Sequence, residues 1–310
     1  MDGLTTFPAS PSTTLSHEDG RQATLKAPIS CSGVGLHGGH PVSVRLLPAP
    51  ARHGIVCHRA DLGVRIPARF DSVVCTRLCT TVGLAERQDA RVSTIEHLMA
   101  AFAAIGVDNA VIELDGPELP VFDGSAEPWL FLLDCAGIEP SPAPRRTVEV
   151  LRTVRVEDGD GFAELRPGPA GFAMALSIEF GAGAIGCQAF SVMLDAHSFR
   201  RDLARARTFA LKHEIDAMQQ AGLARGGSFD NAVVVDGNQV LNPAGLRMAD
   251  EFVRHKLLDA VGDLALAGAP LQGRFVGHKS GHGLNNRLLR ALFADAANWR
   301  VSEQDTLLAA

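Results

Sequence analysis

The stretch Glu251-Phe252-Val253-Arg254-His255-Lys256-Leu257-Leu258-Asp259-Ala260-Val261-Gly262-Asp263-Leu264 reads as a helix. At about 100° per residue it gathers Val253, Leu257, Val261 and Leu264 on one apolar face and sets His255, Asp259 and Asp263 on roughly the opposite one. His255 and Asp259 are four apart, so side chains from successive turns can grip one metal ion. Taken alone, a His and an Asp at this spacing are most often a solvated pair on a polar face. The rest of the chain decides between the two readings by supplying, or failing to supply, a third ligand and a base.

The 310 residues suit two domains, each near the usual size of about 150. With 46% hydrophobic and 21% charged residues, the composition is that of a soluble globular protein able to bury sizeable cores. A net charge of −6 with no basic stripe argues against a nucleic-acid surface. No apolar run has the length of a membrane span, and the N-terminus lacks a basic region followed by an apolar core, so a cytoplasmic location is expected. The six cysteines are scattered through a chain that needs no staples, which favours reduced thiols. Cys75 and Cys79 have no second pair of matching spacing and make a poor metal clip.

Residues 1–22 have no hydrophobic period and read as a disordered extension, with structure beginning near Ala23. Gly33-Val34-Gly35-Leu36-His37-Gly38 satisfies G-x-G-x-x-G, but the alternation of Val42-Ser43-Val44-Arg45-Leu46 after it is that of a strand, where a dinucleotide loop needs a helix. It is better read as a glycine-rich turn between strands, with His37 a minor ligand candidate. Strands are expected at 42–47, 54–59, 64–70 and 109–115, and Asp123-Gly124-Ser125 caps a helix expected to run to Gly137. Ser141-Pro142-Ala143-Pro144 marks a linker over about 138–146. The second half repeats the order, with strands at 148–156, 161–166, 172–180, 232–236 and 274–277, a helical region over 196–221, and a polar loop from His278 to Asn286 feeding a helix to Trp299. The expected fold class is therefore α+β: two similar domains, 23–140 and 147–310, layering helices against mostly antiparallel sheets, though no residue-level repeat proves the likeness.

Ser93-Thr94-Ile95-Glu96-His97 opens another helix. Ser93-x-x-Glu96 is a capping box, which gives Glu96 a purely structural explanation but leaves His97 without one. His97, His255 and Asp259 together would offer two nitrogens and one carboxylate oxygen, a set that suits a catalytic zinc because a fourth position stays open for water. Glu96 then stands beside the metal as a base. His282 can donate a proton to a leaving amine, and Asp263 can orient His282 or hold it protonated. The same ligand set suits Fe2+ as well as Zn2+.

Ser93-Thr94-Ile95-Glu96-His97-Leu98, Arg205-Ala206-Arg207-Thr208-Phe209, Gly226-Gly227-Ser228-Phe229-Asp230, Asp250 to Leu264 and Lys279-Ser280-Gly281-His282 together closely resemble the UDP-3-O-acyl-N-acetylglucosamine deacetylase (LpxC) family, over about residues 23–300. The resemblance implies a zinc amidase of lipid A synthesis that removes the N-acetyl group of UDP-3-O-[(3R)-3-hydroxyacyl]-N-acetylglucosamine. It implies zinc ligands His97, His255 and Asp259, general base Glu96, general acid His282 paired with Asp263, and Thr208 on the oxyanion. Phe209, Lys256 and Lys279 would contact the sugar and nucleotide, and the amphipathic segment 209–223 would line the acyl passage. The family fold implies an active site between two similar domains, and a monomer is expected. The chain departs from the family in its N-terminal extension and in having no Tyr, so a substrate contact that the family makes through tyrosine does not carry over. Two other readings are a UDP-sugar or acyl-chain binding protein on the same fold without catalysis, and a zinc amidase with a different N-acyl substrate.

Overall fold

Alternation of apolar and polar side chains builds the first sheet. In the computed structural model, which describes residues 20–303, Val42, Val44 and Leu46 point inward from a strand whose intervening residues face solvent. Burying side chains of this size contributes roughly 1.5–3 kcal/mol each. The first half runs β1 (Arg21–Leu25), β2 (Ile29–Val34), β3 (Pro41–Pro48), β4 (Ile55–Arg59), β5 (Val64–Pro67), β6 (Val73–Cys75), β7 (Thr81–Leu84) and β8 (Arg87–Val92). It continues with α1 (Glu96–Ile105), β9 (Ala110–Leu114), α2 (Glu127–Ala136) and β10 (Ile138–Pro144). The second half runs β11 (Arg146–Val150), β12 (Val154–Asp158), β13 (Gly161–Arg166), β14 (Phe172–Glu179), β15 (Cys187–Leu194), α3 (Ala196–Ser198), β16 (Phe209–Leu211) and α4 (Lys212–Gln220). It ends with β17 (Val233–Asp236), β18 (Gln239–Val240), α5 (Glu251–Ala265), β19 (Leu271–His278), α6 (His282–Ala294) and β20 (Trp299–Glu303).

The class is α+β, as expected. One sheet has the order β2-β3-β9-β4-β5, and a larger one runs β12-β13-β19-β11-β20 with β14 and β15 attached to β19. Among the described residues the ladders are antiparallel except β4–β9, β11–β19, β14–β19 and β16–β17. The β14 strand, central and buried along nearly all its length, reads as the continuous apolar run that such a position requires.

Several expectations from the sequence are corrected by the fold. The extension expected at 1–22 lies outside the described residues as far as residue 19, and Arg21 already begins β1. The expected linker at 138–146 is mostly strand: β10 pairs with β1, and prolines are tolerated in it because a two-stranded ribbon leaves one edge unpaired. The helical region 196–221 is interrupted: α3 and a π-type turn at Phe199–Leu203 come first, β16 follows, and helix resumes only at Lys212–Gln220. The expected loop 278–286 is shorter, since α6 starts at His282, and the helix expected to reach Trp299 ends at Ala294, with a single 3-10 turn at Ala296–Asn298 leading into β20. Gly283, Asn285 and Asn286 are poor helix formers, but their surroundings override propensity: Asn285 donates to Asp263 and Asn286 to the Phe70 carbonyl. All six cysteines are free.

The glycine-rich turn does join two strands. Its backbone N–H groups at His37 and Gly38 donate to the Glu118 carboxylate at 2.8 Å each, so the loop cradles an anion of its own chain rather than a phosphate. A Cβ on Gly35 would lie 2.5 Å from Glu118 Oε2, which explains the glycine.

The contact that matters most is the crossing of α1 on α5. A Cβ on Gly262 would lie 2.0 Å from the Glu96 carbonyl oxygen, so the backbones meet at this glycine. Alanine there would gain about 1 kcal/mol in helix propensity. Overpacking a core by so close a clash costs about 1–3 kcal/mol and sits at the upper end of that range, so the steric effect wins. Gly262→Ala is expected to lower Tm and to weaken metal binding, read by thermal unfolding and metal titration; an unchanged Tm with full metal affinity would refute the close crossing.

Candidate metal centre

The N-terminal turn of α1 carries Glu96 and His97, and one turn of α5 carries His255 and Asp259. All four are buried, at 4%, 4%, 2% and 4% exposure. This overturns the solvated-pair reading of the α5 polar face: Asp263 is also buried, α5 packs against both α1 and α6, and His255 meets the Ala206 carbonyl. The start of α5 is fixed by a buried ion pair. Arg207 Nε donates to Glu251 Oε1 at 2.8 Å, and the same carboxylate accepts from the backbone N–H groups of Arg207 and Arg247.

One candidate ligand atom from each of His97, His255 and Asp259 lies within 4.8 Å of the others. Asp259 Oδ1 stands 3.7 Å from His97 Nε2 and 3.3 Å from His255 Nε2. Ligands about 2.05 Å from a tetrahedral zinc are separated by roughly 3.3 Å, and the two separations from Asp259 Oδ1 are close to that spacing. His255 Nδ1 is 3.0 Å from the Ala206 carbonyl, so an N–H there leaves Nε2 with its lone pair facing the cluster. Burial pushes the His255 pKa down to about 4, keeping the ring in the neutral form a ligand requires. Burial opposes ionisation of Asp259, but His255 and the Lys256 ammonium hold its carboxyl well below the usual range. Among the described residues, neither His37 nor the pair Cys75 and Cys79 joins such a group.

Glu96 is not a capping residue. The helix N-cap is Ile95 without a side-chain cap, Thr94 adopts φ 60°, and Glu96 Oε2 instead accepts the Thr80 N–H at 3.1 Å. Burial, only partly offset by His282 and His97, raises the Glu96 pKa above its ordinary value. On the other side His282 Nδ1 lies 2.9 Å from Asp263 Oδ2. Burial disfavours the imidazolium, yet the Asp263 charge and hydrogen bond reverse this and carry His282 up to about 9. Asp263 Oδ2 also accepts from Asn285 at 2.9 Å, and its Oδ1 from the Thr80 hydroxyl at 2.5 Å.

The other sequence candidates sit at varied distances. Thr208 is pinned by its backbone, donating to Gly124 and accepting from Val233 at 2.8 Å each. Phe209 packs edge-on against Phe252 and Phe180 with its ring centroid 6.3 Å from His255. Lys256 Nζ donates to Asp259 Oδ2 at 2.9 Å, beside the triad. Lys279 stands apart from it, bonded to Asp160 and Glu179. A cavity of about 470 Å³ opens beside Cys79, Thr81, His37 and Leu223, the last residue of the amphipathic segment. Sequence reasoning missed Thr80, Asn285 and the Arg207–Glu251 pair. Their signals are weak, since each is a common residue whose partner is distant in the chain.

A family model described as UDP-3-O-acyl N-acetylglycosamine deacetylase (LpxC) matches residues 22–294. The chain is 53% identical over 283 residues to the UDP-3-O-acyl-N-acetylglucosamine deacetylase of Phenylobacterium zucineum (strain HLK1), covering 90% of this chain and 96% of that one. Against the protein of the same name from Anaeromyxobacter dehalogenans (strain 2CP-C), identity is 49% over 280 residues, covering 90% of each chain. Against that of Shewanella baltica (strain OS155 / ATCC BAA-1091) it is 47% over 284 residues, covering 90% of this chain and 92% of that one.

Proposed function

This chain belongs to the UDP-3-O-acyl-N-acetylglucosamine deacetylase (LpxC) family, and from that premise we propose a zinc-dependent mechanism in which Glu96 and His282 move the protons. The chain is a hydrolase that deacetylates UDP-3-O-acyl-N-acetylglucosamine in lipid A synthesis. The observation that carries the mechanism is the buried convergence of His97, His255 and Asp259 between the Glu96 carboxylate, held by the Thr80 N–H, and the His282 imidazole, paired with Asp263.

His97, His255 and Asp259 would hold the ion. Bound zinc supplies Lewis acidity toward the water and the amide carbonyl. Glu96, with Oε2 held by Thr80, accepts the water proton on its other oxygen; its raised pKa makes it a stronger base than a solvated carboxylate. The water oxygen bonds to the acetyl carbon, and Thr208 stabilises the charge on the carbonyl oxygen. His282, its Nδ1–H on Asp263, donates the Nε2 proton to the amide nitrogen as the C–N bond breaks. Acetate and a free 2-amino group are the products.

Phe209, Lys256 and Lys279 are assigned to the sugar and nucleotide. The segment 209–223 is assigned to the acyl chain, a reading supported by the place of Leu223 on the cavity wall. The two halves, 23–140 and 147–310, are read as two domains contributing opposite sides of the site. A cytoplasmic monomer acting on a UDP-linked acylated glucosamine, with no nucleic-acid partner, completes the proposal. Within the described residues no helix is long and apolar enough to cross a membrane.

The test is acetate release from the 3-O-acylated UDP-sugar and from the same sugar without its acyl chain. Loss of the acyl chain is expected to lower kcat/KM by about 10²-fold or more, because remote binding energy is used at the reacting centre. Equal kcat/KM for both would favour an amidase of another N-acyl substrate. Binding without acetate release by metal-loaded protein would favour the non-catalytic reading.

A further inference from the structure

We propose that Thr80 is a positioning residue for the deacetylation, a single side chain and peptide unit that sets the general base and the partner of the general acid in mutual register. The inference rests on the roles given above to Glu96, Asp263 and His282.

Thr80 lies between Cys79 and the first residue of β7, and it is 2% exposed. Its three polar groups are all committed to the site. The N–H donates to Glu96 Oε2 at 3.1 Å, the hydroxyl donates to Asp263 Oδ1 at 2.5 Å, and the carbonyl accepts from the Ile95 N–H at the start of α1 at 3.4 Å. The partners belong to elements far apart in the chain, Thr80 and Asp263 being 183 positions apart.

Each bond has a definite consequence. A Glu side chain has three rotatable bonds, and a hydrogen bond to one carboxylate oxygen fixes where the other can point. Asp263 Oδ2 serves His282 and Asn285, so the Thr80 hydroxyl is the donor that holds the second oxygen and prevents the carboxylate from turning about its Cβ–Cγ bond. A carboxylate free to turn would carry the His282 ring with it. A valine in its place fills the same volume and leaves no room for a water to take over the bond. The length of the Thr80–Asp263 bond is that of a charge-assisted O–H···O⁻ contact, which constrains direction as well as distance. The anchoring of Thr80 is itself stiff: Val82 pairs with Val92 in the small sheet, and the Thr81 hydroxyl bonds to Ser93 at 3.0 Å.

The experiment compares Thr80→Val, which keeps the shape and loses the hydroxyl, with Thr80→Ser, which keeps the hydroxyl. Supporting-group substitutions around reacting residues cost about 10–100-fold. The valine variant is expected to lose that much in kcat with KM and bound metal unchanged within about 2-fold, and serine is expected to restore most of it. In an Asp263→Asn background, Thr80→Val should change kcat by less than about 3-fold, since its partner has already been altered. A full kcat in the valine variant, a loss confined to KM, no rescue by serine, or an undiminished effect in the Asp263→Asn background would each overturn the proposal. Should the valine variant fail to fold, Thr80→Ala removes the same hydroxyl with less bulk and is read by the same criteria. Glu96→Gln and His282→Asn run alongside: if they retain turnover the proposed mechanism fails, and if only they lose it the role of Thr80 alone fails.

Discussion

Glu96→Gln is expected to lower kcat by about 10²- to 10⁴-fold while leaving metal content and Tm close to those of the parent chain. Glutamine keeps the volume of the side chain and an oxygen that can accept the Thr80 N–H, so the burial and the crossing of α1 on α5 persist. What it loses is the capacity to take a proton. Turnover near the parent level would remove Glu96 from the mechanism.

The pH profile of the parent chain carries the same argument. Activity is expected to rise as Glu96 ionises, at a pH above the ordinary carboxylate range because burial raises its pKa. It should fall as His282 loses its proton, near 9 in the metal-free chain. A dication beside both groups favours the carboxylate and disfavours the imidazolium, so both limbs should move toward acid on metal loading. His282→Asn should remove the alkaline limb along with most of the rate. Asp263→Asn should shift that limb toward lower pH, because Asp263 is what raises His282 against the cost of burial. An alkaline limb unmoved in Asp263→Asn would contradict the pairing.

Stripping the metal with a chelator is expected to abolish turnover, by roughly 10³-fold or more if the ion supplies about 4 kcal/mol of transition-state stabilisation. Far-UV circular dichroism should survive, because α5 is held by Phe252, Val253, Leu257, Leu258, Val261 and Leu264, all buried without reference to any ligand. One equivalent of Zn2+ should restore the rate. Asp259→Ala should prevent that restoration at low metal concentration, because it removes the candidate ligand atom that faces both imidazoles and leaves Lys256 without its partner. Reconstitution with Fe2+ without oxygen separates the two metals to which a donor set of this kind is suited. Persistent turnover in protein shown to be metal-free would defeat the metal mechanism outright.

Much of the local architecture is legible in the sequence. The 2-residue period of Val42, Val44 and Leu46 gives β3, and the 3.6-residue period over Glu251–Leu264 gives α5 with nearly its observed bounds. The strand after the glycine turn correctly rules out a dinucleotide loop. The small sheet of β6, β7 and β8 escapes such a reading because its strands are short and half exposed, as does β10, whose prolines resemble a linker. Gly283 and two asparagines hide the start of α6, and the bonds that stabilise it reach Asp263 and Phe70 rather than near neighbours. Gly262 is a signal that could have been used: a glycine inside a helix costs about 1 kcal/mol and so points to a close approach by another backbone.

By itself the sequence determined which residues share a helix face and which residue types recur in the order of a known family, because periodicity is a property of neighbours three and four apart. It could not decide whether the polar face of α5 meets solvent. That depends on α1 lying against α5 at Gly262, and on Thr80 reaching Asp263 from the other half of the chain. Such contacts arise from many weak interactions between distant segments, and no local pattern encodes their sum. Burial follows from them, and burial is what turns a His and an Asp four residues apart from a solvated pair into two sides of a candidate metal centre.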